Sequence, residues 1–308
     1  MKKAFILVLL FLSFLHAKEE PENFTEGFYV QAEGAELFCQ VMGKGDPIIF
    51  IQGGPGLRIE DWYPKFSKLS EKNLVVLFDH RGSIRSTGEL NKDTMNFDVF
   101  VKDVEIIRKS LGFEKVSLIG HCWGGALALR YTMEYPEFVD KLVLISAMPA
   151  SSNDLFVAAT NYQTRLIPYK DEIFQIKESN EYLNGDRVTL DRLEEIYHTP
   201  NVHDVEMAKF IAQKESATLE LLTTRSKMLL LFIETEYSNS YSWYDKLKEF
   251  NHPTLILYGD SDWIPSFAFE RIHESISNSK ILKIQDSGHD VMLEKPEEIM
   301  EAMQDFFR

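Results

Sequence analysis

Gly120-His121-Cys122-Trp123-Gly124-Gly125 sets a thiol between glycines, where an apolar run (115–119) gives way to a helix-like run (126–133). A nucleophile flanked as G-x-Nu-x-G at a strand-to-helix turn is a nucleophile elbow, here with cysteine where serine usually stands. The chemistry needs that turn, because it pushes the sulfur out over the top of a sheet. Glycines at 120 and 124 lack Cβ atoms and let the incoming strand and outgoing helix approach closely. The first helical turn aims free N–H groups and a partial positive charge at the sulfur, surroundings in which a thiol becomes a nucleophile. By itself the spacing is equally that of a buried cysteine in a glycine-rich turn, so the segments elsewhere decide.

Gln52-Gly53-Gly54-Pro55-Gly56 directly follows the apolar run ending at Ile51. In the elbow reading, the backbone N–H groups of Gly54 and Trp123 form an oxyanion hole; the competing reading is an ordinary Gly-Pro turn. Tyr258-Gly259-Asp260-Ser261-Asp262 closes a later apolar run, and a carboxylate there can orient a histidine. Asp260 and Asp262 both qualify by position; the spacing from Gly259 favours Asp262 and leaves Asp260 as a turn cap. Asp286-Ser287-Gly288-His289-Asp290 follows the run 281–284. The chain has 8 histidines, and the order nucleophile, acid, histidine, each just past a strand, singles out His289. His121 reads as a wall residue, and His198 and His203 lie in the middle segment without metal-ligand company. No zinc-type spacing occurs, so no metal and no cofactor are expected. Asp79 and Arg81, in Phe78-Asp79-His80-Arg81-Gly82, either brace the loops beneath the oxyanion hole or form a surface ion pair.

The elements that must position these groups alternate. Residues 28–32 and 36–41 read as a hairpin, and 47–51, 74–78, 141–145 and 254–258 as strands apolar on both faces. Helical patterns lie near 61–72, 97–111, 123–135 and 296–307. This is α/β: a mostly parallel twisted sheet, doubly wound, with helices on both sides. The alternation stops after Ser146, and helix-compatible segments dominate until His252. The expected organisation is therefore a core of residues 18–147 and 249–308 with a helical cap, 148–248, inserted between two strands. Lys2 and Lys3 followed by an apolar run from Ala4 to Leu15 read as a signal peptide over residues 1–17, too short for a comfortable membrane span. The expected location is exported, periplasmic or secreted, with no stable membrane insertion after cleavage. The 308 residues carry a net charge of −15 and no basic block, which argues against nucleic acid as a partner. Only Cys39 and Cys122 are present, and Cys122 must stay free if it is the nucleophile.

Together these segments resemble the α/β-hydrolase superfamily, over residues 25–308, and within it the proline iminopeptidase-like peptidases. That group carries H-G-G-P-G, then D-x-R-G-x-G-x-S, a G-x-S-W-G-G elbow, G-x-x-D and G-H. The matching text here is Gln52 to Gly56, Asp79 to Ser86, Gly120 to Gly125, Gly259 to Asp262, and Gly288-His289. The resemblance implies a triad of Cys122, Asp262 and His289. Three positions depart from it: cysteine for serine, Gln52 for histidine, and Ile84 for glycine. The peptidases hold the substrate's amino group with glutamates of the cap, and the resemblance puts Glu234 in the matching place; a solvated helix face is the other reading. Dienelactone hydrolase, on the same fold, is similar in using cysteine.

The expected activity is covalent acyl transfer on a small-molecule or short-peptide substrate, with release of N-terminal proline as the leading case. An esterase or lactonase is the alternative, since esters demand less of the proton donor than amides do. A non-hydrolytic binding protein and a Cys122–Cys39 redox sensor are the readings from other classes.

Overall fold

Strands that are apolar on alternate sides feed two cores at once. In β3 (Asp46–Ile51) and β6 (Val139–Ile145), Ile49, Ile51, Leu142 and Leu144 enter one core. Ile48, Phe50, Val143 and Ile145 enter the other. The computed structural model describes residues 26–308 apart from 55, 57–65, 84, 216, 238 and 239. The expected signal peptide, and Ile84, lie outside the described residues. So do residues 61–65 of the expected helix 61–72; in its described part Leu69–Glu71 forms a single 3₁₀ turn.

The sheet has 8 strands in the order β1-β2-β4-β3-β5-β6-β7-β8. The hairpin of β1 (Phe28–Ala32) and β2 (Ala35–Met42) is antiparallel and pairs antiparallel with β4 (Asn73–Phe78). From β4 onward, through β3, β5 (Val116–His121), β6, β7 (Thr254–Gly259) and β8 (Ser279–Ile284), every pairing is parallel. Helices α1 (Phe97–Ser110), α2 (Trp123–Glu134) and, later in the chain, α10 (Ser266–Ser275) cover one face, and α12 (Pro296–Phe307) the other. Asn96 caps α1 by accepting from Val99 N, with Asp98 in the first turn and Arg108 and Lys109 in the last, the charge order a helix dipole favours.

Between β6 and β7 the chain leaves the sheet and forms α3 (Ser152–Leu166), α4 (Lys170–Glu178), α5 (Asn180–Leu183), α6 (Arg187–His198), α7 (Val205–Glu215), α8 (Leu219–Phe232) and α9 (Tyr244–Leu247). A π-helical turn, Ile233–Tyr237, continues α8. The two ends of this insertion are clipped together beside β6: Ser152 N donates to Tyr241 O (3.0 Å) and Trp243 N to Ala150 O (2.9 Å). After β8 comes α11 (Val291–Glu294). Among the described residues no helix is long and apolar enough to cross a membrane.

The loop after β4 corrects one expectation. Asp79 and Arg81 are neither partners of each other nor on the surface. Buried Arg81 makes a two-pronged ion pair with Asp103 of α1 (2.7 and 2.6 Å), and Asp79 one with Arg85 (2.6 and 2.9 Å). Two charges drawn out of water need good geometry to be tolerated, and paired forks supply it. Between them His80 is fully buried, edge-on to Phe78, Phe100 and Trp123, and among the described residues neither ring nitrogen has a hydrogen-bond partner. Burial pushes its pKa down to about 3. A depressed histidine contributes stability that is full above about pH 6.5 and is lost as the pH falls toward 3, because only the unfolded chain takes the proton. His80→Leu is therefore expected to narrow the drop in Tm between pH 7 and pH 4, by the equivalent of a few kcal/mol. Parallel Tm-versus-pH curves for the two proteins would contradict this.

Candidate active site

Cys122 sits between β5 and α2 with φ 53° and ψ −120°, a backbone region that residues with a side chain rarely occupy. Three hydrogen bonds hold it there: its N–H donates to Ile145 O (3.0 Å), and its carbonyl accepts from Gly125 N (3.0 Å) and Met148 N (2.9 Å). The close approach that the sequence demanded is real. A Cβ on Gly124 would stand 2.1 Å from Ile51 O, so only glycine lets the start of α2 reach the end of β3. The elbow thus presents Cys122, half-buried, to a cavity of about 680 Å³.

The turn after β3 abuts the elbow. The Cβ position of Gly53 is 3.0 Å from Cys122 Cβ, and Gly53 and Gly54 line the same cavity. Trp123 follows the nucleophile position as the first residue of α2, where the backbone N–H has no helical acceptor. Gly54 and Trp123 are therefore both beside the sulfur. Gln52, where the resemblance expects histidine, is fully buried.

His289 reaches the cavity from the loop between β8 and α11. Its Nδ1 lies 2.9 Å from Asp262 Oδ1, both side chains buried. Asp262 Oδ1 also accepts from Ile264 N (2.9 Å), so the carboxylate is anchored by its own loop. Of the two candidate acids, Asp262 is the one that meets the imidazole. Asp260 accepts instead from Ser261 Oγ (3.1 Å) and Ser287 N (3.3 Å), binding the acid loop to the histidine loop. The Trp263 ring packs 4.6 Å from that of His289, and the His121 ring 5.3 Å from it. His289 Nε2, the nitrogen left for the sulfur side, has no hydrogen-bond partner among the described residues. Burial works against a charge on this ring, but Asp262 and the neighbouring Cys122 outweigh it and raise the His289 pKa well above the ordinary histidine range. Imidazolium is thereby favoured beside the sulfur.

Glu234, which the resemblance sets against the substrate's amine, is not among the residues that line the cavity. It lies on the π turn, its side chain 55% exposed and paired with Lys92 (3.0 Å). The π turn sends Ile233 and Tyr237 inward and Glu234 out. Cys39, in β2, is buried and free, and burial with Asp79 and Asp103 nearby raises its pKa, so it is a poor redox partner.

His198, expected to lack company, has a great deal. Glu194, four residues earlier on α6, Glu215 on α7 and Asp290 beside His289 surround it, with Oε2, Oε2 and Oδ2 at 4.0, 3.3 and 3.6 Å from its ring nitrogens. Arg225 of α8 joins them, 2.9 Å from Glu194 and 3.7 Å from Glu215. Burial opposes the histidine charge, but Glu215 and Asp290 prevail and push the His198 pKa up to about 10. Glu215, Asp290, His198 and Arg225, with Lys214, line the cavity that Cys122 opens into. Glu194, His198 and Glu215 lie close enough together to offer three ligand atoms to a metal, but the Arg225 guanidinium already supplies the cation there. The only sequence signal of this cluster was the i, i+4 spacing of Glu194 and His198; the other members come from three distant segments.

Comparison with known proteins agrees with this architecture. A family model described as alpha/beta hydrolase fold matches residues 46–296. The chain is 24% identical to the "Proline iminopeptidase" of Lactobacillus helveticus (strain DPC 4571) over 290 residues, 89% of this chain and 94% of that protein. It is 25% identical to that of Clostridioides difficile (strain 630) over 291 residues, 91% of this chain and 96% of the relative. Among solved structures, an alpha/beta fold family hydrolase from Bacillus anthracis str. Sterne superposes with a TM-score of 0.72 at 21% identity, covering 92% of this chain and 99% of its own. The meta-cleavage product hydrolase CumD of Pseudomonas fluorescens IP01 gives 0.68 at 20% identity, covering 91% of this chain and 97% of its own.

Proposed function

The chain belongs to the alpha/beta hydrolase fold family and is a hydrolase; from that premise we propose that it works by covalent acyl transfer on Cys122, in the manner of a proline iminopeptidase. One observation carries the reading: His289, buried and bonded through Nδ1 to Asp262, lines the same cavity as Cys122 and lies close enough for that group to raise its pKa. In the reaction the thiolate attacks the scissile carbonyl and a C–S bond forms. The N–H groups of Gly54 and Trp123 take the oxyanion. Collapse breaks the C–N bond as the His289 imidazolium gives its proton to the leaving amine, leaving a thioester. His289 then takes a proton from water, the hydroxide attacks the thioester, and the acid departs with the thiolate restored. Asp262 keeps the imidazole in the tautomer that does this. The insertion, residues 148–248 in the sequence reading, roofs the cavity as a cap, and residues 1–17 direct export.

The carboxylates of Glu215 and Asp290 in the cavity wall are the acceptors we assign to a substrate's free amino terminus, the role the resemblance gave to Glu234. The mostly apolar remainder of the wall, including Met148, Leu155, Phe156 and Ile211, suits a small ring such as proline. The same wall suits small esters and lactones, which is the second reading. Glu215→Gln separates them. It is expected to lower kcat/KM for L-prolyl p-nitroanilide on the order of 10- to 100-fold, the size of a lost charged hydrogen bond, and to leave p-nitrophenyl acetate within about threefold. Equal losses on both substrates would point to the ester reading. For the covalent step itself, intact mass after brief exposure to p-nitrophenyl acetate is expected to show one acetyl on Cys122. A wild-type protein that turns over neither substrate and gains no acetyl would refute the proposal.

A further inference from the structure

Among the described residues two tyrosines line the catalytic cavity, and only one has spent its hydroxyl. Tyr162 O–H donates to Tyr197 O (3.0 Å). The Tyr237 hydroxyl oxygen is shielded from solvent yet has no hydrogen-bond partner among the described residues. Leaving a buried donor unpaired costs about 1–3 kcal/mol, a cost a fold keeps where a ligand brings the acceptor.

The backbone under Tyr237 is built for presentation. It ends the π turn Ile233–Tyr237, a form that occurs mostly as single turns and often at functional sites. Thr235 Oγ1 donates to Met95 O (2.7 Å), and Glu236 accepts from Phe97 N at the start of α1 (2.9 Å), so the turn is tied to the core on both sides of its bulge. The Tyr237 ring packs 6.4 Å from Phe97, which stacks on Trp123 at 5.9 Å. The phenol therefore approaches the elbow from the side of Trp123, while His289 is packed on Trp263 and His121. Burial, then Tyr241, then the charge at Cys122, keep its proton on, so the group near the sulfur is a neutral donor.

We propose that the Tyr237 hydroxyl is a third donor to the acyl oxygen, joining the Gly54 and Trp123 N–H groups as negative charge builds there. The inference rests on Cys122 being the nucleophile. An oxygen, rather than the substrate's amine, is its partner, because a protonated phenol offers its hydrogen and the acids of the His198 cluster take the amine elsewhere on the wall.

The test is Tyr237→Phe, which removes one oxygen and keeps the ring, assayed on p-nitrophenyl acetate and on its thiono analogue, whose sulfur accepts hydrogen bonds poorly. Expected are a loss in kcat on the ester on the order of 100-fold, KM within about threefold, an unchanged Tm, and a loss of under about threefold on the thiono ester. Equal losses on both substrates, or less than about a threefold loss on the ester, would overturn the third-donor assignment while the acyl-enzyme reading stood. Cys122→Ala run beside it separates the two: full turnover without the thiol would remove the premise, and with it the role of Tyr237.

Discussion

Cys122→Ala is expected to lower kcat on the order of 10⁴- to 10⁶-fold, the cost of removing a nucleophile whose partners cannot replace it, and to abolish the acetyl adduct. Among the described residues nothing else in the cavity wall is placed to attack. His121 is engaged with the His289 carbonyl at 3.4 Å, and Ser152, the one serine of the wall among them, begins α3 with its hydroxyl donating to Tyr241 O at 3.3 Å. Folding is expected to survive, because the residue is held by its backbone: the bonds to Ile145, Gly125 and Met148 use no side-chain atom. Alanine keeps the Cβ and therefore the strain of φ 53°. Cys122→Gly relieves it and is expected to be more stable than Cys122→Ala by about 1 kcal/mol, and equally inactive. A ranking of Gly above Ala in Tm with both dead shows that strain is retained for the chemistry. Cys122→Ser restores a nucleophile without the charge that helps hold the proton on His289, so it is expected to keep turnover between the wild-type and alanine values. Turnover by the alanine variant at more than about a hundredth of the wild-type rate would remove cysteine from the mechanism.

What the sequence could show about this site follows from how each part is encoded. The elbow, the glycine turn and the Asp262 and His289 loops are local: each is a short run fixed to the end of a strand, and the sheet order brings the strand ends to one edge. A doubly wound sheet was legible for the same reason, since buried parallel strands are unbroken apolar runs. Asp262 won over Asp260 only in three dimensions, although the Gly259 spacing pointed to it. The cavity wall was not legible, because it is assembled from α3, α6, α7, α8 and the π turn, whose faces are set by packing and not by a motif. Glu234 shows the failure in detail. An ordinary helical count through Ile233-Glu234-Thr235-Glu236-Tyr237 does not say which of these faces inward, and the wide π turn reassigns them, sending Glu234 to Lys92, Glu236 to the start of α1 and Tyr237 to the cavity. His198 fails in another way: its partners Glu215 and Asp290 are separated from it by 17 and 92 positions, and no spacing announces such a cluster.

Asp262→Asn carries the second large effect, and its pH signature tells charge from mere packing. Asp262 Oδ1 accepts from both Ile264 N and His289 Nδ1. Both bonds fall on one oxygen, so an asparagine whose amide oxygen takes that place keeps both and sets its NH₂ where Oδ2 stands. What it removes is the negative charge opposite the imidazolium. The expected loss in kcat is on the order of 10²- to 10⁴-fold, the size of a disabled general acid–base. The carboxylate is also the first of the groups that lift the His289 pKa against its burial. Without it the imidazolium loses its proton at lower pH, so the alkaline fall in residual kcat/KM is expected to move toward neutrality. Stability follows the same sign. A histidine raised in the folded protein contributes fully below about pH 6.5 and loses that contribution as the pH climbs through its folded value. The Tm gap between wild type and Asp262→Asn should therefore be widest at and below pH 6.5 and shrink at alkaline pH, and a gap that is constant with pH would mean that Asp262 supports the loop without governing the charge on His289.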